Sequence, residues 1–229
     1  MSAAIPKEAL AANFAKCVRG YHLLNDDPIK ETPWEDINAI VLAASGCPVV
    51  AASHGSHKPG SDLTSSLGGF SNKSTQYGKG SFSISSYRLT TVCSDKDPGS
   101  PAAILAEIGR RKDFDYYSII VRSQSKAGAG AGEISYDWYL VPSDHPAVNP
   151  AAYTWKPKIG VRGRNKGAVV GWETDVRAGS SMSITFSMSS QLWMDVAVTE
   201  ELKTFIVGSC KVSGGRKYTY IHLAEREEA

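Results

Sequence analysis

The order in which two apolar periodicities succeed one another limits this chain more than any single motif does. Helical spacing comes first. In residues 6–19, Ala9, Leu10, Phe14 and Val18 share one stripe, with Pro6 near the first turn and Gly20 at the end, so an amphipathic helix is predicted. After a polar turn, Thr32 has N-cap chemistry, Pro33 takes the first helical position and Glu35 stands three residues on, a capping-box spacing. This predicts a second helix from about Trp34 to Ala44, ending near Gly46, with Ile37, Ile40, Val41 and Ala44 on its apolar side. Strand-like spacing then takes over, in short runs at 47–53, 61–67, 70–77 and 81–93. Leu67-Gly68-Gly69-Phe70 predicts a tight hairpin turn, because Gly-Gly tolerates positive φ. Asp97-Pro98-Gly99-Ser100 is a turn into a third helix from Pro101, residues 115–124 form a buried strand, and 133–142 return as its neighbour across the Ala-Gly loop 127–132. The remainder is β-rich. Residues 145–171 are irregular, basic and aromatic, and 180–198 alternate Met182, Ile184, Phe186 and Met188 with Ser and Thr as one half-exposed strand. Runs at 203–212 and 217–225 close the chain as a strand pair. This order predicts a mixed α/β (α+β) fold of one domain over residues 1–229, and not a doubly wound nucleotide fold.

Composition narrows the function classes. A chain of 229 residues, 42% hydrophobic and 21% charged, can bury an ordinary globular core. The net charge of +2 hides an uneven distribution. Lys156, Lys158, Arg162, Arg164 and Lys166 crowd residues 155–170 without an acid, and the C-terminus offsets them with Glu225, Glu227 and Glu228. Such a pattern suits a protein that touches phosphates on one face. Cys17, Cys47, Cys93 and Cys210 lie far apart with no CxxC pair, so reduced thiols and a cytoplasmic location are expected. There is no run of the roughly 18 apolar residues a membrane span needs, so no membrane partner is expected. GxGxxG and GxxxxGK[ST] are both absent, which predicts no nucleotide cofactor.

The chemically distinctive stretch is His54 to Ser74. Asp62 is the one carboxylate between Asp36 and Asp95, and His54, His57, Lys58, Lys73, Lys79 and Arg88 surround it. A solitary acid in a basic, Ser- and Gly-rich setting fits a site that holds one divalent metal against a polyanion. With a turn at Gly68-Gly69, Leu63 would face Ser74 and Asp62 would face Thr75, bringing Asp62 and Lys73 within reach of one bound group. Such a pair can hold Mg²⁺ and orient water beside a phosphodiester.

Pro59-Gly60-Ser61-Asp62 followed by Ser71-Asn72-Lys73 resembles the PD…(D/E)xK motif of type II restriction endonucleases, and the flanking helix, strand, helix, strand order over about residues 33–123 is similar to that nuclease core. The resemblance implies a restriction-endonuclease-like core with a central mixed sheet flanked by helices, and a β-rich C-terminal elaboration carrying DNA recognition over about residues 145–190. It implies Mg²⁺ on Asp62, catalytic roles for Asp62, Lys73 and Ser71, and a homodimer cutting double-stranded DNA at specific sites. Two departures stand out. Gly60 and Ser61 separate the Pro from the Asp, and Ser71 occupies the place of the second carboxylate, for which Glu35 on the preceding helix is the substitute. Arg88 and Lys58 are expected DNA contacts, and Lys156, Lys158, Arg162, Arg164, Asn165 and Lys166 form a loop with the chemistry of duplex recognition.

Plainer readings exist for each. Asp62 after Pro-Gly-Ser fits a turn cap, Lys73 a solvated strand position, Glu35 a capping-box acid, and the basic loop a solvated surface. Trp155 and Trp172 read as anchors more readily than as base-stacking groups. Three rival functions stay open: a DNA-binding module without catalysis, a β-rich interaction protein, and a metal hydrolase using His54, His57 and Asp62.

Overall fold

The computed structural model describes residues 5–52, 61–124, 132–187 and 189–213. His54, His57, Lys58, Pro59, Gly60, Met188, the Ala-Gly loop up to residue 131 and the 217–225 run therefore lie outside the described residues. Among the described residues, helices α1 (Lys7–Leu24), α2 (Glu31–Ala44) and α3 (Pro101–Arg111) and the short α4 (Glu200–Lys203) accompany eleven strands. The strands are β1 (Val49–Ala52), β2 (Leu63–Ser65), β3 (Gly68–Gly78), β4 (Ser81–Arg88), β5 (Tyr116–Gln124), β6 (Glu133–Pro142), β7 (Trp155–Ile159), β8 (Val169–Thr174), β9 (Ser181–Thr185), β10 (Gln191–Ala197) and β11 (Ile206–Ser213). They join in the order β11-β6-β5-β3-β4-β10-β9-β8-β7, with β2 on β3 and β1 on β2. The β3–β5 pair is parallel, joined through β4 and α3, and the other pairs are antiparallel, so the fold is mixed α+β with one large mixed sheet flanked by a few helices. No described helix is long and apolar enough to cross a membrane.

Strand β5 explains the two cores. Its residues Tyr117 to Val121 are buried on both faces of the sheet. On one face Ile120, Trp138 and Leu140 receive Leu10, Phe14 and Val18 of α1 and Trp34, Ile37 and Val41 of α2. Phe14 meets Trp34 edge-on at 5.9 Å and Trp138 at 5.6 Å, and burying each such ring contributes about 2–3 kcal/mol. On the other face Tyr117, Ile119, Val121 and Val141 share a buried cluster with Ile104 and Ile108 of α3 and with Ile84, Met194, Ile184 and Met182 of β4, β10 and β9.

Several sequence expectations are corrected here. Helix α1 continues past Gly20, because His22 is drawn in by a 2.9 Å contact between its Nε2 and the Tyr136 hydroxyl, offsetting the helical cost of glycine. Helix α2 starts at Glu31, with Lys30 as an N-cap that makes no side-chain bond, so the Thr32–Glu35 capping box does not form. Buried Trp34 sets that start, its indole N–H donating to the Ser118 carbonyl at 3.0 Å. The buried side of α2 is Trp34, Ile37, Asn38, Val41 and Leu42, leaving Ile40 exposed at 58%. Residues 180–198 form the hairpin β9–β10 instead of one strand, with Met182 and Ile184 in the core. The irregular stretch before it contains a second hairpin, β7–β8.

Candidate active site in the edge of strand β3

The predicted Gly68-Gly69 turn is also corrected. The turn lies at Ser66-Leu67, both glycines belong to β3, and the register pairs Leu63 with Phe70 instead of Ser74. The glycines serve close approach. A Cβ on Gly68, whose φ is +127°, would stand 2.4 Å from Asp115 Oδ2, and one on Gly69 would stand 3.1 Å from Phe114 Cα. Asp62 accordingly moves four residues along β3 from its expected place opposite Thr75. Its N–H donates to the Phe70 carbonyl at 2.8 Å, and its Oδ2 accepts from the Asn72 N–H at 2.6 Å. That brackets Ser71, whose hydroxyl bonds to the same carboxylate.

Strand pairing leaves a notch at this point. On one edge of β3, pairing with β2 ends at Leu63–Phe70 and pairing with β4 resumes at Tyr77–Phe82. Between them β3 meets its neighbours through side chains: Asp62 on Asn72, and Thr75 donating to the Ser83 carbonyl at 2.6 Å. Helix α2 overlies the notch. Glu31, Glu35 and Asn38 recur at helical spacing, and buried Asn38 donates to Asn72 Oδ1 at 2.6 Å and to Ser118 Oγ at 3.0 Å, which fixes the helix to β3. Lys73 rises from β3 into this acidic face, its Nζ 2.8 Å from Glu31 Oε1.

The electrostatics show that these groups feel one another. Burial pushes the Asp62 carboxyl above its usual range and Glu31 adds to the rise, while Lys73, the Asn72 N–H and the Ser71 hydroxyl oppose it. Glu35 is raised by burial first and then by Asp62 and Glu31, against the pull of Lys73. Two desolvated carboxylates that each favour protonation are a donor set a divalent cation would relieve, and this chemistry fits Mg²⁺. Among the described residues, no group of three or more His, Cys, Asp or Glu is placed to hold a metal ion, so Asp62 and Glu35 would need oxygens from water or phosphate to complete a shell.

Behind the notch lies a buried hydroxyl cluster. Tyr117 is within 3.3 Å of Ser86 Oγ, bonds to Tyr87, feels the Asp62 charge, and has its phenol pushed up to about 12 by burial. Tyr87 occupies a bulge where pairing slips from Arg88–Gln191 to Ser86–Leu192, and its φ of 22° turns the ring inward to stack on Phe114 at 6.4 Å. Arg88 follows that bulge and is exposed.

The remaining expected DNA contacts collect on hairpin β7–β8. Arg162, Arg164, Asn165 and Lys166 occupy its exposed tip, a short 3-10 turn at Gly163–Asn165. Lys156 and Lys158 sit lower on the strand and already have protein partners, Glu173 at 3.4 Å and Thr185 Oγ1 at 2.9 Å. Trp155 and Trp172 are anchors, donating to the carbonyls of Pro150 and Pro98. The structure thus gathers Asp62, Ser71, Lys73 and Glu35 and assigns the basic loop to a separate projection. Sequence reading missed Glu31, although its spacing from Glu35 and Asn38 carried a signal. It also missed a cleft of about 750 Å³ beside the hairpin, lined by Asp113, Asp115 and Asp144 among others. Comparison of the chain with protein-family models, with curated proteins and with solved structures finds no match.

Proposed function

We propose that this protein is a Mg²⁺-dependent endonuclease of the type II restriction class, acting on double-stranded DNA at specific sites. One observation carries the reading. Asp62 and Ser71 from the β2–β3 hairpin, Lys73 from β3 and Glu35 from α2 converge on one notch, although they are spread over about forty residues of sequence. Asp62 would hold Mg²⁺, with Glu35 supplying the acid that Ser71 cannot. The metal, when bound, lowers the pKa of water and neutralises charge developing on the phosphate. Lys73 contributes a fixed ammonium beside that charge, where a low-dielectric wall strengthens it. Ser71 and the Asn72 N–H orient the Asp62 carboxylate.

The β7–β8 tip supports the DNA partner. Arg162, Arg164 and Lys166 can meet phosphates or guanine, and Asn165 can pair with an adenine edge. Arg88 lies at the end of β4, the strand that closes the notch, and suits a phosphate contact. A homodimer on a palindromic site belongs to the same reading, and four free thiols suit a reducing cytoplasm.

The test is a plasmid digest with Mg²⁺ and with EDTA, repeated with Asp62→Ala. Discrete fragments that need Mg²⁺ and vanish in the variant are expected. A smear would remove site specificity, and an intact plasmid at every condition would leave the exposed basic tip as the basis for a DNA-binding module without catalysis.

A further inference from the structure

We propose that Glu31 is a positioning residue for Lys73, holding its ammonium beside the Asp62 and Glu35 carboxylates and off them. The inference rests on the nuclease reading of the notch. Lys73 emerges among three acids, and its field works against the burial that raises both the Asp62 and the Glu35 carboxyl. Among the described residues, however, the ion pair it forms is with Glu31, at 2.8 Å. Lysine carries a compact, strongly hydrated charge on a flexible four-carbon stem. Released, that charge would be free to move onto the Asp62–Glu35 pair, where the nuclease reading places the divalent cation. Glu31 prevents this by supplying a third anion at the mouth of the notch.

The core holds Glu31 in register. It opens α2, and Trp34, three residues on, is fully buried with its indole bonded to the Ser118 carbonyl. Two turns along, Asn38 is bonded to Asn72, the neighbour of Lys73 in β3. The separation between the carboxylate and the lysine is therefore set by helix-on-sheet packing and not by loops. The Lys73 side chain is 14% exposed against 50% for Glu31, so the ammonium is the more enclosed partner.

Single-turnover plasmid cleavage should be followed as Mg²⁺ is titrated, in wild type, Glu31→Gln, Glu31→Asp, Lys73→Ala and the Glu31→Gln/Lys73→Ala double variant. DNA affinity is measured alongside in EDTA. Glu31→Gln is expected to raise the half-saturating Mg²⁺ about fivefold and to slow cleavage about tenfold, with DNA affinity unchanged. Glu31→Asp, which keeps the charge, should recover most of both. With Lys73 gone, Glu31→Gln should cost nothing further. The inference is overturned if Glu31→Gln keeps the wild-type Mg²⁺ requirement and rate, or costs the same factor whether or not Lys73 is present. A wild type that never cuts with Mg²⁺ overturns the nuclease reading and this inference together, which is a different result from a wild type and a Glu31→Gln that cut alike.

Discussion

The notch in β3 and the tip of the β7–β8 hairpin both carry basic side chains, in opposite physical settings. Lys73 is enclosed, paired and held between a strand and a docked helix, and the Asp62 and Glu35 carboxylates near it are partly desolvated. Arg162, Arg164 and Lys166 stand in water on a turn whose own backbone bonds, such as Gly167 N–H to the Gly160 carbonyl at 2.9 Å, keep it in shape without a core. A charge of the first kind acts at full strength at one place, as chemistry demands. One of the second kind is screened by salt and adjustable in position, as a groove contact demands. The difference teaches that burial alone can set whether a basic side chain acts on one fixed neighbour or as a screened, movable charge.

The largest effect that would sharpen this division is on rate. Asp62→Ala should lower Mg²⁺-dependent cleavage on the order of 10³-fold while DNA affinity in EDTA stays within about twofold, by single-turnover kinetics and a gel-shift titration. Equal loss of both would erase the distinction. Arg162→Ala combined with Arg164→Ala should do the reverse. Affinity should fall about tenfold near physiological salt, the log–log salt slope should shrink by about 1 for each phosphate contact removed, and the rate at saturating protein should hold.

Stability gives a smaller contrast between two glycines at positive φ. Gly68→Ala drives a Cβ into Asp115 and should cost about 2–3 kcal/mol by urea denaturation, whereas Gly163→Ala at the tip, with nothing within 4 Å, should cost about 1 kcal/mol. Equal costs would mean that the hairpin is not clamped against the Asp113–Asp115 segment.

The smallest expected effect concerns pH in metal-free protein. Burial raises Asp62 and Glu35 in the folded state, so that state holds its protons more tightly than the unfolded chain does. Their contribution is therefore most favourable below the ordinary carboxylate value of about 4 and is lost as pH rises through the raised values. Thermal melts should show Asp62→Asn gaining a few degrees over wild type near pH 7 and converging with it toward pH 4. Removing Arg162 should leave that profile unchanged.

Much of the fold was legible in residue order. The stripe Leu10, Phe14, Val18 is the buried face of α1, α3 starts at Pro101 after the turn at Asp97–Ser100, and the apolar run in β5 is buried on both sides. Local periodicity decides these features, because the residues concerned meet the core through their own helix or strand. The hairpin register was not legible. Gly-Gly signals a turn when only φ is considered, and the segment that requires two missing Cβ atoms, residues 113–115, lies over forty positions away. The start of α2 failed for a similar reason, since burial of Trp34 against Ser118 outweighs a capping box worth about 1 kcal/mol.

For the candidate site, the residue sequence by itself determined which chemistry is available: one acid in a basic surround, a lysine on the adjoining strand, and acids at helical spacing upstream. Only the tertiary structure decided which of them meet. Parallel pairing of β3 with β5 and the docking of α2 bring Glu31, Glu35, Asp62 and Lys73 into one notch. Packing over long sequence distances sets charge-to-charge separation, and the Coulomb energy that gives such a cluster its meaning depends on that separation and on the water excluded around it.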